Sequence, residues 1–84
     1  MEQIFIYIFF IVNNTVFMDP NYPPLQQESL VDCVAHAIAA NTVLKERLPD
    51  TIMWEIGCVS GDDLVDNLQQ IYDELVAEVE GERL

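Results

Sequence analysis

Cys33, His36 and Cys58 are the residues whose types come closest to forming a chemical site. Cys33 and His36 are three positions apart in a predicted helix, so their side chains are neighbours on its surface. With Cys58, and with Asp32 as a fourth donor, they would supply ligands that zinc accepts. However, the sequence has no paired C-x-x-C, and Cys58 would have to fold back onto the helix. We therefore predict no metal, and interpret the cysteines as small buried side chains and His36 as an exposed or rim residue.

The same Cys-His pair would also have the geometry of a nucleophile and its base. A catalytic cysteine needs nearby positive charge to stabilise its thiolate, whereas this chain has only three basic residues and places Asp32 beside the pair. The sequence contains neither a G-x-S-x-G elbow nor a glycine-rich phosphate loop. Asp62, Asp63 and Asp66 lack the alternate spacing of a calcium-binding loop. These observations predict a protein that is not an enzyme and binds no cofactor.

The two cysteines cannot build a disulfide framework, and one bridge is the most that they allow. Because the sequence has no convincing export signal, we interpret Cys33 and Cys58 as reduced thiols of a cytoplasmic protein. A bond between the two cysteines stays an open alternative.

The charge balance limits the possible partners. The 84-residue chain has fifteen acidic and three basic residues, which gives a net charge of −12 at pH 7 and a pI near 4.1. Such a field repels nucleic acid and anionic lipid, so we predict no direct nucleic-acid binding and do not expect membrane binding. The charge suits a basic protein partner, divalent cations or simple solubility. Adaptation to a high-salt environment is a further explanation.

The best-formed element of the sequence is an amphipathic helix within residues 60–80. Its apolar residues recur at helical spacing and form a stripe about 140° wide. The stripe contains Leu64, Val65, Leu68, Ile71, Tyr72, Leu75, Val76 and Val79. Ser60 fits the cap and Asp63 the capping-box position, which places the start of the helix near residue 61. This stripe requires a hydrophobic partner.

The opposite side of this helix is acidic. Asp66, Asp73 and Glu80 line up along it, while Glu74 lies across the same arc and Glu78 at its boundary with the stripe. We call these five residues the acidic ridge and predict that they bind a partner. Like charges four positions apart, such as Glu74 and Glu78, cost an isolated helix roughly 0.2–0.5 kcal/mol. The alternative is a solvated face that only keeps a small protein in solution.

Residues 4–12 form a continuous apolar run that is rich in β-branched and aromatic residues. The run is far shorter than the ~20 residues of a membrane helix, and its composition favours a strand buried on both faces. Asn13-Asn14 then turns the chain into a second short strand, 15–18, because asparagine tolerates left-handed conformations. Two alternatives stay open: a membrane-associated or signal-like segment, and an extension outside the fold of a chain that starts at Met18.

The middle of the chain contains a connector, a helix and a short strand. Three prolines in residues 19–27 favour an extended connector. Residues 28–48 have an apolar stripe, interrupted by Asn41 and Lys45, that predicts a second helix. Residues 51–59 are rich in residue types that favour strands and alternate accordingly. One or two helical turns are the alternative for this last segment.

These elements predict a single small α+β domain over residues 1–84. We expect one layer of short strands, formed by an N-terminal strand or hairpin and by residues 51–59. Two amphipathic helices, at about 28–48 and 61–80, would both cover one face of that layer. The alternative is a mainly α-helical hairpin or three-helix unit with a loosely attached N-terminus. The chain then divides into an apolar part, a proline-rich connector and a helical core, at residues 1–18, 19–27 and 28–84.

The function predicted from these properties is that of a non-enzymatic protein-protein interaction module. Its acidic ridge would dock into a basic surface of a partner, because rows of carboxylates on a rigid helix can imitate the phosphates of a nucleic acid. In its most specific form, this prediction is that the protein is an inhibitor or adaptor of a nucleic-acid-handling protein. Two other functions stay open. One is a structural homo-oligomer or small subunit of a larger assembly, and the other is a membrane-associated accessory protein that uses residues 4–12.

Overall fold

The computed structural model describes residues 3–81, which form a small α+β domain with one antiparallel sheet and two helices. Along the chain the elements are β1 (Ile4–Val12), β2 (Thr15–Phe17), β3 (Leu25–Gln27), α1 (Leu30–Arg47), β4 (Met53–Ser60) and α2 (Leu64–Gly81). The predicted fold class is confirmed. No helix within this part of the chain is long and apolar enough to cross a bilayer.

Strand β1 is the centre of the sheet. Along one side it pairs with β4 from Ile4 to Ile11, and along the other it pairs with β3 at its beginning and with β2 at its end. Because strands flank both of its edges and helices cover both of its faces, its nine residues are apolar without alternation. Residues 4–17 are therefore the middle of the fold. The alternatives in which they attach loosely or lie outside the fold are wrong.

A tight turn at Asn13-Asn14 joins β1 to β2. The two asparagines have φ angles of 52° and 64°. Positive φ at both central residues is what a two-residue type I′ hairpin turn requires. Asparagine adopts this left-handed conformation more readily than most other residues. The predicted N-terminal hairpin is confirmed, with β2 only three residues long.

The connector ends in a strand that the sequence did not predict. Asp19 first forms a turn, in which its carbonyl accepts the N–H of Tyr22 at 2.9 Å and its side chain accepts that of Asn21 at 2.8 Å. The prolines then keep the chain extended, and β3 pairs with the first residues of β1. Ser29 follows as the N-cap of α1, where its hydroxyl accepts the N–H of Asp32 at 3.1 Å.

The two helices lie on opposite faces of the sheet, and the prediction that both would cover one face is wrong. Side chains alternate between the faces along a strand. Phe9 of β1 contacts Tyr72 of α2, with ring centroids 6.0 Å apart. Cys58, which pairs with Ile6 on the other face, is bonded to Cys33 of α1. Because β1 is apolar on both faces, each face needs a helix of its own.

The larger hydrophobic core lies between the sheet and α2. Its buried members, each at most 8% exposed, are Tyr7, Phe9, Val16, Leu75 and Val79. Partly buried side chains of α2 surround them, namely Leu68, Ile71, Tyr72 and Val76. Val65 was predicted in the same stripe but is 79% exposed, because the packed part of α2 begins at Leu68. Each large apolar side chain that is fully buried contributes about 1.5–3 kcal/mol.

Helix α2 begins at Leu64 rather than near residue 61. Ser60 belongs to β4, and its hydroxyl accepts the N–H of Asp62 at 3.2 Å instead of capping the helix. Asp63 takes a left-handed φ of 55°, and its carbonyl accepts the N–H of Asn67 at 2.9 Å. The predicted cap at Ser60 is wrong because the strand extends to this residue and leaves only a tight turn before the helix.

Helix α1 packs less closely on the sheet than α2 does. Among its eighteen residues only Cys33 is buried. Asn41, which interrupts the predicted stripe, accepts the indole N–H of Trp54 at 2.7 Å. Val34 and Ile38 were predicted near the core side but are 45% and 64% exposed. The attachment at Cys33 turns these two side chains toward the solvent.

Cys33 and Cys58 form a disulfide that joins α1 to β4, with their Cα atoms 6.2 Å apart. The interpretation of the cysteines as reduced thiols is therefore wrong. Their spacing in the sequence could not show the bond, because it depends on where α1 crosses β4.

Replacing Cys33 and Cys58 together by alanine is expected to lower the free energy of unfolding by about 3 kcal/mol, because the cross-link restricts a long loop of the unfolded chain. Urea unfolding followed by circular dichroism measures the change. A thiol reductant should cause a similar loss in the natural chain and none in the double variant. If both cysteines of the folded protein react with an alkylating reagent before any reductant is added, the bond is absent.

Candidate functional site

The five carboxylates of the acidic ridge lie on the outer side of α2. All five are exposed, because the opposite side of the helix packs on the sheet. Asp73 accepts a hydrogen bond from the Gln69 side chain at 3.0 Å. No basic residue lies in the last turn of α2, and its sequence contains no lysine or arginine. The structure thus brings the predicted residues together on one surface, and their binding to a partner stays a prediction.

The residues considered as zinc ligands are not arranged as a metal site. The sulfur atoms of Cys33 and Cys58 are bonded to each other. His36 is exposed, and its Nδ1 atom contacts the side-chain oxygen of Gln27. Within residues 3–81, no group of three or more His, Cys, Asp and Glu side chains is placed to hold a metal ion. His36 is therefore a residue of the protein surface.

A further cluster, which the sequence did not reveal, lies on the α2 face of β4. The Tyr7 ring lies so close to Gly57 that a Cβ atom added to this glycine would be 2.5 Å from Oη of Tyr7 and 2.9 Å from its Cζ. The hydroxyl of Tyr7 is thus over β4. Burial raises the pKa of Tyr7, and the negative charges of Glu55 and Glu74 raise it further. We call these residues the Tyr7–Glu55–Glu74 cluster.

The residues of this cluster can be located only when the register of strand pairing in the sheet is known. Tyr7 pairs with Gly57, and Phe9 pairs with Glu55, so both partners on β4 share the face that α2 covers. The three residues of the cluster come from three separate elements. No spacing within the sequence brings such residues together.

Strand β4 is an edge of the sheet with a different surface on each face. Within residues 3–81 it pairs with β1 along all eight of its residues and with no other strand. On the α1 face, a groove of about 460 Å³ runs between α1 and β4. Its lining is mostly apolar but includes Glu55, and consists of Val34, Ala37, Ile38, Asn41, Trp54, Glu55, Ile56, Gly57 and Cys58. On the α2 face lies the Tyr7–Glu55–Glu74 cluster. The edge thus has a mainly apolar side and an acidic side.

No protein-family model, curated protein or solved structure matches this chain. What the protein binds must therefore follow from its surfaces. Two of them combine exposure with a distinct chemistry: the acidic ridge of α2, and the edge of β4 between its groove and the Tyr7–Glu55–Glu74 cluster.

Gly57→Ala is expected to lower the free energy of unfolding by about 1–3 kcal/mol, because the added methyl group displaces the Tyr7 ring from the core. Gly81→Ala is the matched control, since a Cβ atom there meets nothing within 4 Å. Chemical denaturation of both variants gives the comparison. Equal stabilities would show that the Tyr7 ring does not lie across Gly57.

The raised pKa of Tyr7 also predicts a loss of stability at alkaline pH. The folded protein holds the phenolic proton more tightly than the unfolded chain, whose tyrosines titrate at about pH 10. Stability is therefore constant with respect to this group below about pH 10 and falls as the pH rises through the folded-state value. Ultraviolet titration of tyrosinate, with Tyr7→Phe as the reference, isolates the group.

Glu55→Gln should lower the pKa of Tyr7 in this titration, because it removes one of the negative charges that oppose ionisation. Glu46→Gln, an exposed change on α1, should leave Tyr7 unaffected. If both variants titrate alike, Glu55 does not lie near the hydroxyl.

Proposed function

We propose that this chain is a non-enzymatic interaction protein whose acidic ridge docks on a basic surface of a partner protein. One observation supports the proposal most directly. All five carboxylates of the ridge are exposed on one helix, and the other side of that helix is anchored in the core. The ridge is therefore a fixed array of charges rather than a set of mobile side chains on a flexible tail.

The dimensions of the ridge suit an extended basic groove. Asp66, Asp73 and Glu80 are seven residues apart, so they span about 21 Å along the helix axis at a rise of 1.5 Å per residue. Charges of the ridge that come much closer than the Debye length of about 8 Å to a partner's lysines and arginines are only partly screened at physiological ionic strength. A groove that normally holds a nucleic-acid backbone presents such positive charges in a row. An inhibitor or adaptor of a nucleic-acid-handling protein is therefore the form of the proposal that we favour.

The carboxylates of the ridge also repel one another, and a basic partner would remove this unfavourable free energy. Glu74 and Glu78 are one helical turn apart, and their repulsion costs roughly 0.2–0.5 kcal/mol. No basic side chain on α2 offsets it. A lysine or arginine of a partner placed beside them would replace repulsion by attraction, which favours the complex over the free protein.

A cytoplasmic location remains part of this proposal, and the disulfide bears on it. Bonds such as Cys33–Cys58 are rare in proteins of reducing compartments. The redox state of the two cysteines in protein taken directly from cells therefore decides between the cytoplasm and an oxidising compartment.

Charge reversal of Asp66, Asp73 and Glu80 to lysine is expected to weaken partner binding by about tenfold or more. The estimate assigns about 0.5 kcal/mol to each of three exposed ion pairs. The partner is first isolated with the intact protein at low salt and released at high salt, and its dissociation constant is then measured with each variant. Circular dichroism should show an unchanged fold, because all three side chains are exposed.

A second triple variant controls for bulk charge. Glu28, Glu46 and Asp50 are also exposed but lie away from α2, so their reversal to lysine changes the net charge equally. This control should retain the partner. Equal losses in the two variants would mean that net charge, and not the ridge, governs binding. Unchanged binding by the ridge variant would overturn the proposal.

A further inference from the structure

We infer that the free edge of β4 accepts an extended segment of a basic partner, which adds to the sheet as a new strand. Its alternate side chains would be apolar on the α1 face and lysine or arginine on the α2 face. The sign of the partner's charge rests on the proposed function. The mode of binding does not, because it involves different residues from the acidic ridge apart from Glu74.

The backbone of β4 is open to such pairing. Alternate residues of an edge strand direct their N–H and C=O groups away from the sheet. None of the backbone hydrogen bonds outside regular elements in residues 3–81 involves Met53–Ser60. Natural sheets usually block a long edge with proline, lysine, a bulge or a covering loop. The sequence of β4, M-W-E-I-G-C-V-S, has neither proline nor lysine, Glu55 is its one charged residue, and it pairs with β1 in an unbroken register.

The α1 face of this edge suits apolar side chains. A strand added to β4 would lie about 4.8 Å beyond it, on the side of α1 that bears Val34 and Ile38. These two residues line the groove with Trp54 and Ile56 and are 45% and 64% exposed. Every second residue of the new strand would point toward them. Apolar side chains at those positions would cover surface that the free protein exposes to water.

The α2 face of the same edge suits positive side chains. Glu55 is exposed on this face, because it pairs with Phe9, whose ring packs against Tyr72 of α2. Glu74 of α2 is also exposed, and both charges act on the Tyr7 hydroxyl beside Gly57. Residues of the new strand that alternate with the apolar ones would point to this face. Lysine or arginine there would pair with the two carboxylates. An edge that is apolar on one face and acidic on the other thus selects a segment of alternating apolar and basic residues.

A second copy of this chain is a poorer occupant. Each copy has a net charge of −12, and pairing two β4 edges would place Glu55 of each copy on the same acidic face. The chain has only three basic residues, Lys45, Arg47 and Arg83, and the two within residues 3–81 lie in α1. No segment of the chain itself offers alternating apolar and basic residues. Charge complementarity therefore favours a different, basic protein.

The test uses a short synthetic peptide of alternating valine and lysine with the intact, disulfide-bonded protein. Amide hydrogen exchange should show protection of alternate residues of β4 when this peptide is added. A peptide of the same composition in blocks, and one with N-methyl groups on its pairing amides, should give no such protection. Absence of protection with the alternating peptide, or equal protection with the block peptide, would overturn the inference.

Two variants with matched controls test whether the acidic face and the apolar face of β4 both contribute to peptide binding. Glu55→Lys should weaken peptide binding by about tenfold, because it places like charges together, whereas Glu46→Lys should not. Ile38→Asp should weaken binding to a similar extent through the groove. Ala39→Asp, which adds the same charge on the other flank of α1, should leave it unchanged. Equal effects of a variant and its control would overturn the assignment of the edge.

Two further outcomes separate the inference from the proposed function and from self-association. If the ridge variant loses its partner while the peptide leaves β4 unprotected, the inference fails and the proposed function stands. If the peptide protects β4 while the ridge variant keeps its partner, the proposed function fails and the edge site stands. Light scattering without peptide should show a monomer. A dimer with protected β4 amides would mean that a second copy occupies the edge, which overturns the inference.

Discussion

The fold depends on covering one strand. The nine apolar residues of β1 cannot remain in water, and a strand has two faces and two edges to cover. Strand β4 covers one edge along almost the whole length of β1, while β2 and β3 share the other. Each face receives a helix. In residues 3–81 the other strands thus pair with β1 and the helices pack on the two faces of the sheet, which buries Tyr7, Phe9 and Phe10 and half-buries the rest of β1.

The two faces are covered in different ways, and this difference produces two chemically distinct surfaces. Helix α2 packs a broad apolar stripe on Tyr7 and Phe9, so its carboxylates remain exposed, and among them Glu74 acts on the Tyr7 hydroxyl. Helix α1 buries only Cys33 and is held by the disulfide and by the hydrogen bond from Trp54 to Asn41. It therefore leaves apolar side chains exposed. Between these helices, β4 has an acidic cluster on one face and an apolar groove on the other.

The sequence predicts the features that depend on local periodicity and misses those that depend on register. The acidic ridge follows from helical spacing alone, and the Asn13-Asn14 turn follows from residue type, so both could be located in advance. The placement of α1 and α2 on opposite faces could not, because a continuous apolar strand does not show which face a helix will take. The disulfide and the Tyr7–Glu55–Glu74 cluster require residues from distant elements to meet. The pairing of β1 with β4 places Tyr7 beside Glu55, and the packing of α1 and α2 on the two faces of the sheet adds Cys33 and Glu74.

The distance along the chain between β1 and β4 also has a consequence during synthesis. Ile4 pairs with Ser60 and Ile11 with Met53, so β1 leaves the ribosome well before its main partner exists. In that interval the chain presents an uncovered apolar strand with high β-propensity, which is the type of segment that associates into aggregates. Mutual repulsion of highly acidic chains opposes such association. Residues 1–52 have six acidic and two basic residues, so nascent chains carry a net charge of −4 in this interval, and the full −12 is reached only after β4 and α2 have been made.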